Sequence, residues 1–231
     1  MMDLSKMKEL SIGGVKLREL SVDGVKIWQA GRLPAGYTEV EYIEATGTQY
    51  IDTGITGRDG LTVEFNFNPI EVVSADSSTI IGCTTSSNQR MYVTVNKTPI
   101  PDFYWELGAG SYYVASGKKY SVNTKYHVNA GWTKANSVLT VNDAAVISIK
   151  NTFTFDDNNT NLYIFARNKG TSVDKYSHAR LYDMKMWDGG TLVRDLVPAV
   201  YRDGAAGMFD LVSGTFFGNA GAGQFTAGPA V

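Results

Sequence analysis

The sequence has little cysteine, histidine or proline: one, two and six residues respectively among 231. Because Cys83 stands alone, no intrachain disulfide can form, and we predict that it is a small core residue in the strand-like run 79–83. His127 and His178 lie far apart, and neither has a Cys, His or carboxylate at a metal-ligand spacing. We therefore expect no zinc site, no histidine-based nucleophile system and no cofactor.

The sequence also lacks a charge excess and any long apolar run. Lys and Arg number 21 and Asp and Glu number 23, which gives a formal charge of −2. This balance provides no attraction for nucleic acid or anionic lipid, so neither is an expected partner. Residues 1–8 lack the apolar stretch of an export signal, and no later segment is long enough to span a bilayer. We therefore expect a protein that is made in a cytoplasm and stays there until something else carries it out. Release by cell lysis, as part of an assembled particle, would meet this condition.

Strand-forming residues and turn residues are abundant. There are 13 Tyr, 10 Phe and 24 Gly, and Val and Thr recur throughout. Apolar and polar residues alternate in four short runs: 61–67, 91–95, 138–141 and 146–149. The last two runs are joined across residues 142–145 as a predicted hairpin. No stretch has a helical period. The pattern predicts an all-β fold, a two-sheet antiparallel jelly-roll sandwich, over residues 37–231.

The N-terminal region contains a ten-residue tandem repeat. Residues 8–17 read KELSIGGVKL and residues 18–27 read RELSVDGVKI. Gly-Gly or Asp-Gly between alternating apolar residues is a strong signal for a two-residue hairpin turn, so we predict a three-stranded meander in residues 1–30. Such a sheet cannot cover its own apolar face. It therefore serves as an attachment or oligomerisation element, or else as a cap on the main domain. Residues 31–36 form the predicted linker.

Two sets of residues resemble a known family. Residues 33–55 read LPAGYTEVEYIEATGTQYIDTGI, and they closely resemble the opening of concanavalin A-like, laminin-G-like jelly-roll domains in phages and prophages of gut Gram-positive bacteria. Later segments are also similar to this family: 126–128, 139–143, 179–187, 192–199, 207–212 and 216–221. The resemblance implies a virion component with a lectin-like fold. Domains of this fold bind sugars, bind proteins or act as scaffolding, so the resemblance alone leaves the ligand open.

Glycoside hydrolases share this fold and use paired carboxylates that face a cleft. Alternation places Glu39 and Glu41 on one side of their strand and Val40 and Tyr42 on the other, and Glu44 follows. This pattern favours the solvated face of an outer strand over a catalytic pair. We therefore predict no catalytic residue and no enzyme.

Residues 156–161, DDNNTN, cluster oxygen-bearing side chains but lack the spacing of a defined calcium loop. An Asp- and Asn-rich turn is favoured over a calcium site, and no metal site is predicted.

The aromatic segment 103–113 is the predicted ligand-binding region. Sugar rings stack their apolar faces on exposed aromatic rings, while polar groups nearby bind the hydroxyls. Adjacent aromatics in a strand point to opposite faces, so one residue of each neighbouring pair is expected outside the core. The predicted ligand-binding residues are Tyr104, Trp105, Tyr112 and Tyr113. The alternative is that these rings belong to the core.

The combined prediction is a bacteriophage virion structural protein displayed on the tail or capsid, made in the cytoplasm of the bacterial host. Its N-terminal meander contacts other virion proteins, and its jelly roll binds host-surface or environmental saccharides. A homo-oligomer is expected. The alternatives are a decoration or spacer protein that serves assembly only, and a glycoside hydrolase of the same fold.

Overall fold

The computed structural model describes residues 11–12, 15–16, 19–22, 25–29, 32–71, 77–85, 89–96, 104–110, 112–133, 135–150 and 160–231. These residues form strands, and none of them forms a helix. The strands are, in chain order, β1 (Ser11–Ile12), β2 (Val15–Lys16), β3 (Glu19–Val22), β4 (Val25–Gln29), β5 (Tyr37–Glu39), β6 (Ile43–Thr46), β7 (Ile51–Thr56), β8 (Leu61–Glu71), β9 (Ser77–Thr84), β10 (Arg90–Asn96), β11 (Tyr104–Gly110), β12 (Tyr112–Lys119), β13 (Tyr126–Trp132), β14 (Asn136–Val141), β15 (Ala144–Lys150), β16 (Asn161–Ile164), β17 (Arg167–Asn168), β18 (Val173–Asp174), β19 (His178–Asp188), β20 (Thr191–Tyr201), β21 (Ala206–Asp210), β22 (Phe216–Phe217) and β23 (Thr226–Ala227).

Two sheets pack into a sandwich. The small sheet has the order β12-β11-β10-β9-β16-β7, with β17 and β18 beside it. The large sheet has the order β15-β14-β13-β8-β19-β20-β21-β22, with β5, β6 and β23 attached. Neighbouring strands are antiparallel apart from β17, which meets β9 in parallel at one residue pair. The predicted two-sheet antiparallel jelly roll is thus confirmed.

The core lies between the sheets, and side-chain alternation builds it. In β8, Leu61, Val63, Phe65 and Phe67 are fully buried, while the residues between them are only partly covered. Burial of each such side chain contributes about 1.5–3 kcal/mol. Trp132 of the large sheet donates from Nε1 to the Gly108 carbonyl of the small sheet at 2.8 Å, which satisfies the indole N–H inside an apolar core.

The predicted strand runs lie in β8, β10, β14 and β15. The β14–β15 turn is shorter than the predicted four residues, because Ala144 and Ala145 already belong to β15. The turn consists of Asn142 and Asp143, both with positive φ, at 49° and 64°. This is the backbone of a type I′ hairpin turn, and Asn and Asp tolerate it well. Cys83 is buried, as predicted.

The N-terminal repeat forms two hairpin ladders at the predicted turns. Ser11–Ile12 pairs with Val15–Lys16 around residues 13–14, and Glu19–Val22 pairs with Val25–Gln29 around residues 23–24. Residues 17–18, which would join β2 and β3 into the middle strand of the predicted meander, lie outside the described residues.

The segment predicted as a linker is partly anchored to the jelly roll. Leu33 and Tyr37 pack against Val197, Ala199 and Phe209, which form a second, smaller apolar cluster. In β20, Leu196 faces the main core, so alternation places Val197 on the outer face of the large sheet. Arg32 also donates from Nε to Glu39 at 3.1 Å, and this bond with Glu39 raises the pKa of Arg32. The chain therefore enters the jelly roll along the outer face of the large sheet.

Candidate functional site

The outer face of the small sheet carries a row in which tyrosine and glycine alternate. Tyr92 in β10 is the cross-strand neighbour of Gly108 in β11 and of Gly82 in β9. Gly82 in turn pairs with Tyr163 of β16, which pairs with Asp52 of β7. The core residues flanking Tyr92 and Tyr163 on their own strands point the other way, which fixes this row on the outside.

The two glycines of this row are required by the tyrosine rings. A Cβ placed on Gly108 would lie 2.7 Å from Cζ of Tyr92, and one on Gly82 would collide with Cβ of the same residue. The ring of Tyr92 therefore lies over Gly108, and Tyr92 is 4% exposed. Burial raises the pKa of Tyr92, and the charge of the nearby Glu106 carboxylate and a hydrogen bond to it act in the same direction.

Three partly exposed tyrosines meet at the β7 edge of this face. The rings of Tyr50 and Tyr163 are stacked, with centroids 4.7 Å apart and an interplanar angle of 16°. Tyr176 packs against Tyr50 at 6.3 Å and 53°. We name Tyr50, Tyr163 and Tyr176 the tyrosine cluster. None of their hydroxyls has a hydrogen-bond partner among the described residues, so all three can donate to a ligand.

A buried glutamine positions Tyr50. Gln49 is 3% exposed; its Oε1 accepts from the Thr46 amide at 2.8 Å, and its Nε2 donates to the Gln224 carbonyl at 3.0 Å. The Tyr50 amide donates to Oδ1 of Asn219 at 3.1 Å. The segment around residues 46–50 is thereby joined to the glycine-rich loop 218–224, so two of the family-like sequence segments are in direct contact.

Gly221 completes this arrangement. A Cβ on Gly221 would collide with the Thr48 carbonyl oxygen and would lie 3.0 Å from Cδ1 of Tyr50. Tyr50 is therefore held between Gly221 and the stacked ring of Tyr163.

Polar groups flank the tyrosine cluster. Oδ1 of Asp52 accepts from the Gly54 amide at 2.9 Å and from Nδ2 of Asn161 at 2.9 Å. Burial raises the pKa of Tyr163, with a further contribution from the Asp52 charge, so Tyr163 keeps its proton and remains a hydrogen-bond donor well above neutral pH.

The cations near the tyrosine cluster are paired. Arg167 donates to both carboxylate oxygens of Asp174, from Nε at 2.8 Å and from Nη2 at 2.7 Å, and Nζ of Lys169 lies 3.8 Å from the same carboxylate. Burial acts to raise the pKa of Asp174, but the hydrogen bond from Arg167 and the charges of Arg167, Lys169 and Lys175 leave it lowered. Asp174 is thus ionised and forms a two-bond pair with Arg167.

Within the predicted binding segment, the described side chains, those of residues 105–110, are buried. Trp105 is 1% exposed and packs edge-to-face on Phe67 at 5.6 Å and on Tyr126 at 5.3 Å. Its prediction as a ligand-contact residue is therefore wrong: Trp105 pairs with Val95, on the side of β11 that faces the core. The backbone of Tyr113 pairs with Gly108 and that of Tyr112 with Ala109. The side chains of Tyr104, Tyr112 and Tyr113 lie outside the described residues, and their roles stay predictions.

The acidic residues considered for catalysis are engaged elsewhere or exposed. Glu39 pairs with Arg32, Glu44 accepts from Nε of Arg180 at 2.6 Å, and Glu41 is exposed. Glu44 also lies 3.4 Å from His178, the first residue of β19.

No metal centre is present within the described residues: no group of three or more His, Cys, Asp or Glu side chains there is arranged to hold a metal ion. Of the Asp- and Asn-rich turn, residues 156–159 lie outside the described residues. Within the described parts of the chain, no helix is long and apolar enough to cross a membrane.

Sequence reasoning did not identify the tyrosine cluster. Tyr50, Tyr163 and Tyr176 are far apart in the chain, and no local pattern distinguishes them from the other tyrosines. The available signal was that Tyr50 lies within the family-like stretch 33–55. Only the strand order of the folded sheet shows that Tyr163 on β16 and Tyr176 after β18 are neighbours of Tyr50.

Comparisons with known proteins establish the fold. No protein-family model matches the sequence, and no curated protein is similar to it. A candidate carbohydrate binding protein from Bacteroides ovatus has a TM-score of 0.59 and 14% identity over 91% of this chain and 66% of that one. This chain therefore spans about two thirds of that protein's length.

Two further structures are similar at lower TM-scores. The native heptameric SAP-like pentraxin from Limulus polyphemus has a TM-score of 0.48 and 13% identity, over 66% of this chain and 75% of that one. Tailspike protein 2 from an Escherichia coli O157:H7 bacteriophage has 0.47 and 9%, over 71% and 30%. At such identities, similarity of fold does not define a ligand.

Proposed function

We propose that this protein is a non-catalytic, saccharide-binding component of a bacteriophage virion, displayed on the tail or capsid. Its jelly roll contacts host-surface or environmental glycans through the outer face of the small sheet, and its N-terminal hairpins attach it to other virion proteins. The assignment to a virion is supported by the resemblance of residues 33–55 to phage and prophage domains.

The observation that carries the proposal is the tyrosine cluster beside Asp52 and Asn161. Partly exposed rings provide apolar surface for the C–H faces of a sugar, and carboxylate, amide and phenol groups provide the hydrogen bonds for its hydroxyls. The composition of the remaining surface agrees with a polar ligand. Among the described residues, the exposed large hydrophobic side chains are three valines: Val114, Val212 and Val231.

The N-terminal anchor and the tyrosine cluster lie on opposite sides of the sandwich. Leu33 and Tyr37 are anchored on the outer face of the large sheet, whereas the tyrosine cluster lies on the outer face of the small sheet. A protein attached through its N-terminal region therefore directs the tyrosine cluster away from its attachment. This is the polarity that display on a particle requires.

The experiment is glycan-array binding by the full chain, followed by titration calorimetry on the best ligand. Tyr163→Ala and Tyr176→Ala are expected to weaken binding about tenfold or more, because each removes a ring face from the contact. The matched control is Tyr182→Ala, which alters a partly exposed tyrosine of β19 that packs on Tyr42 at 5.6 Å. Absence of glycan binding in the wild type, or equal losses in all three variants, would contradict the proposal.

The rival function is that of a decoration or spacer protein used only for assembly. The anchored segment at Leu33 and Tyr37 fits this rival equally well, because rigid attachment also suits a spacer. The rival predicts no glycan binding together with retention on the particle. A hydrolase would release reducing sugar from the bound glycan, and release that Glu41→Gln abolishes would support that alternative instead.

A further inference from the structure

Asp52 has an unused acceptor in the middle of the proposed site. Its Oδ1 is fixed by Gly54 and Asn161, whereas its Oδ2 has no donor among the described residues. Asp52 is only partly buried and lies directly across the ladder from Tyr163. An ionised carboxylate that is held by one oxygen offers the other to a hydroxyl donor, and charge-assisted bonds of this kind are stronger than neutral ones.

The charged group directly across the ladder from Tyr163 is the carboxylate of Asp52. Arg167 uses Nε and Nη2 on Asp174, and Lys169 lies against the same carboxylate. An anionic ligand stacked on Tyr163 would have to approach the carboxylate of Asp52, whereas the guanidinium of Arg167 is directed at Asp174. Hydroxyl groups meet no such penalty, since a carboxylate accepts hydrogen bonds from them.

We infer that the site takes an uncharged saccharide, with Asp52 accepting a hydrogen bond from a ring hydroxyl while the sugar face rests on Tyr163. This inference rests on the proposed function and specifies its ligand class. It makes Asp52 a specificity-determining residue, since one side chain both binds the hydroxyl and repels sialic-acid- or uronic-acid-type ligands.

Two measurements on the full chain test the inference. In the wild type, a neutral oligosaccharide is expected to bind about tenfold or more tightly than the same oligosaccharide carrying a sialic or uronic acid, and its affinity is expected to stay constant between about 0.05 and 0.5 M salt. Asp52→Asn keeps the oxygen that Gly54 and Asn161 use and replaces the free acceptor by a donor. Asp52→Asn is expected to lower the affinity for the neutral oligosaccharide about tenfold or more without lowering the melting temperature.

Asp183→Asn is the matched control. Asp183 is also partly buried and accepts from the amide and Nδ2 of Asn66, at 3.2 and 3.0 Å, but it belongs to the large sheet. The Asp183→Asn variant should bind the neutral oligosaccharide with unchanged affinity.

Each outcome decides between the two proposals. A wild type that binds no glycan refutes the proposed function and this inference with it. A wild type that binds and prefers acidic glycans, or an Asp52→Asn variant that is folded and binds as tightly as the wild type, refutes this inference alone. If Asp52→Asn lowers the melting temperature, the comparison of neutral and acidic ligands on the wild type remains decisive.

Discussion

The position of Trp105 shows what a sequence pattern can and cannot determine for one residue. Alternation predicts that one of two adjacent aromatics faces outward, but it does not say which one. The register of β11 with β10 decides which residue faces outward. Trp105 pairs with Val95, so its ring faces the core. By contrast, the burial of Cys83 was predictable, since a lone cysteine in an apolar run has no other favourable place.

Trp105 gives the first prediction. Trp105→Ala removes a ring that contacts Phe67 and Tyr126 between the sheets, and should lower the free energy of unfolding by about 3–5 kcal/mol. Trp105→Phe should cost clearly less, because most of the volume is kept. Urea denaturation measures both. Equal stability of Trp105→Ala and the wild type would show that the ring is not part of the core.

Cys83 gives a prediction for pH dependence. Burial raises the pKa of the Cys83 thiol to about 12, whereas in the unfolded chain it is about 8.5. Above pH ~8.5 the unfolded chain loses this proton first, so stability is complete below that pH and falls as pH rises, by up to about 1.4 kcal/mol per unit until the folded thiol ionises.

Denaturation midpoints at pH 7 and pH 10 test this expectation. The wild type should lose about 2 kcal/mol more than Cys83→Ala over that interval. Thiol labelling at pH 8 should likewise proceed only as fast as the protein unfolds. Rapid labelling of the native protein would contradict the burial of Cys83.

At the scale of single elements, turns were more predictable than long-range contacts. The Asn142-Asp143 hairpin turn follows from local chemistry. The connection between residues 46–50 and the loop 218–224 does not, because nothing in either segment states that the other is its partner. The family-like residues of both segments now have a structural role, since Gln49 and Gly221 together hold Tyr50.

Gln49 gives the prediction for this scale. Gln49→Ala removes the hydrogen bonds of a buried side chain with the Thr46 amide and the Gln224 carbonyl, and should lower the free energy of unfolding by about 1–3 kcal/mol. It should also weaken glycan binding, because Tyr50 loses its support. Thr48→Val is the control: it removes one exposed hydrogen bond, to Ala222, and should cost less. Calorimetric melting and ligand titration measure both effects, and a Gln49→Ala variant as stable as Thr48→Val would refute this role.

For the whole molecule, composition and alternation were sufficient to predict a two-sheet jelly roll, since they report burial on one side of each strand. They were not sufficient for the site. The tyrosine cluster depends on strand order, which places β16 between β7 and β9. Strand order is set by pairing between distant segments, and period-two patterns contain no information about it.

Deletion of residues 1–30 tests the division of the molecule. If the hairpins mediate attachment or oligomerisation, the shortened chain should be a monomer by light scattering, with melting temperature and glycan affinity unchanged, whereas the full chain is larger. Identical masses for both chains would contradict an oligomerising role.

Tyr37→Ala should have the opposite effect to the deletion: it should change the stability and leave the mass in solution unchanged. It leaves the hairpins intact but uncovers Val197 and Phe209, and so should lower the free energy of unfolding by about 1–3 kcal/mol without a change in mass. A variant with unchanged stability would mean that this packing does not stabilise the jelly roll.

The anchoring of Arg32, Leu33 and Tyr37 also has a mechanical consequence. Tension applied through the N-terminal region is carried first by the Arg32–Glu39 ion pair and by the contacts of Tyr37 with Phe209 and Tyr201, each at 4.9 Å between ring centroids. It then enters the large sheet through the ladder of β5 with β20. Tension between this attachment and a ligand on the small sheet therefore crosses the apolar core between the two sheets, and the tether does not pull directly on the strands that carry the tyrosine cluster.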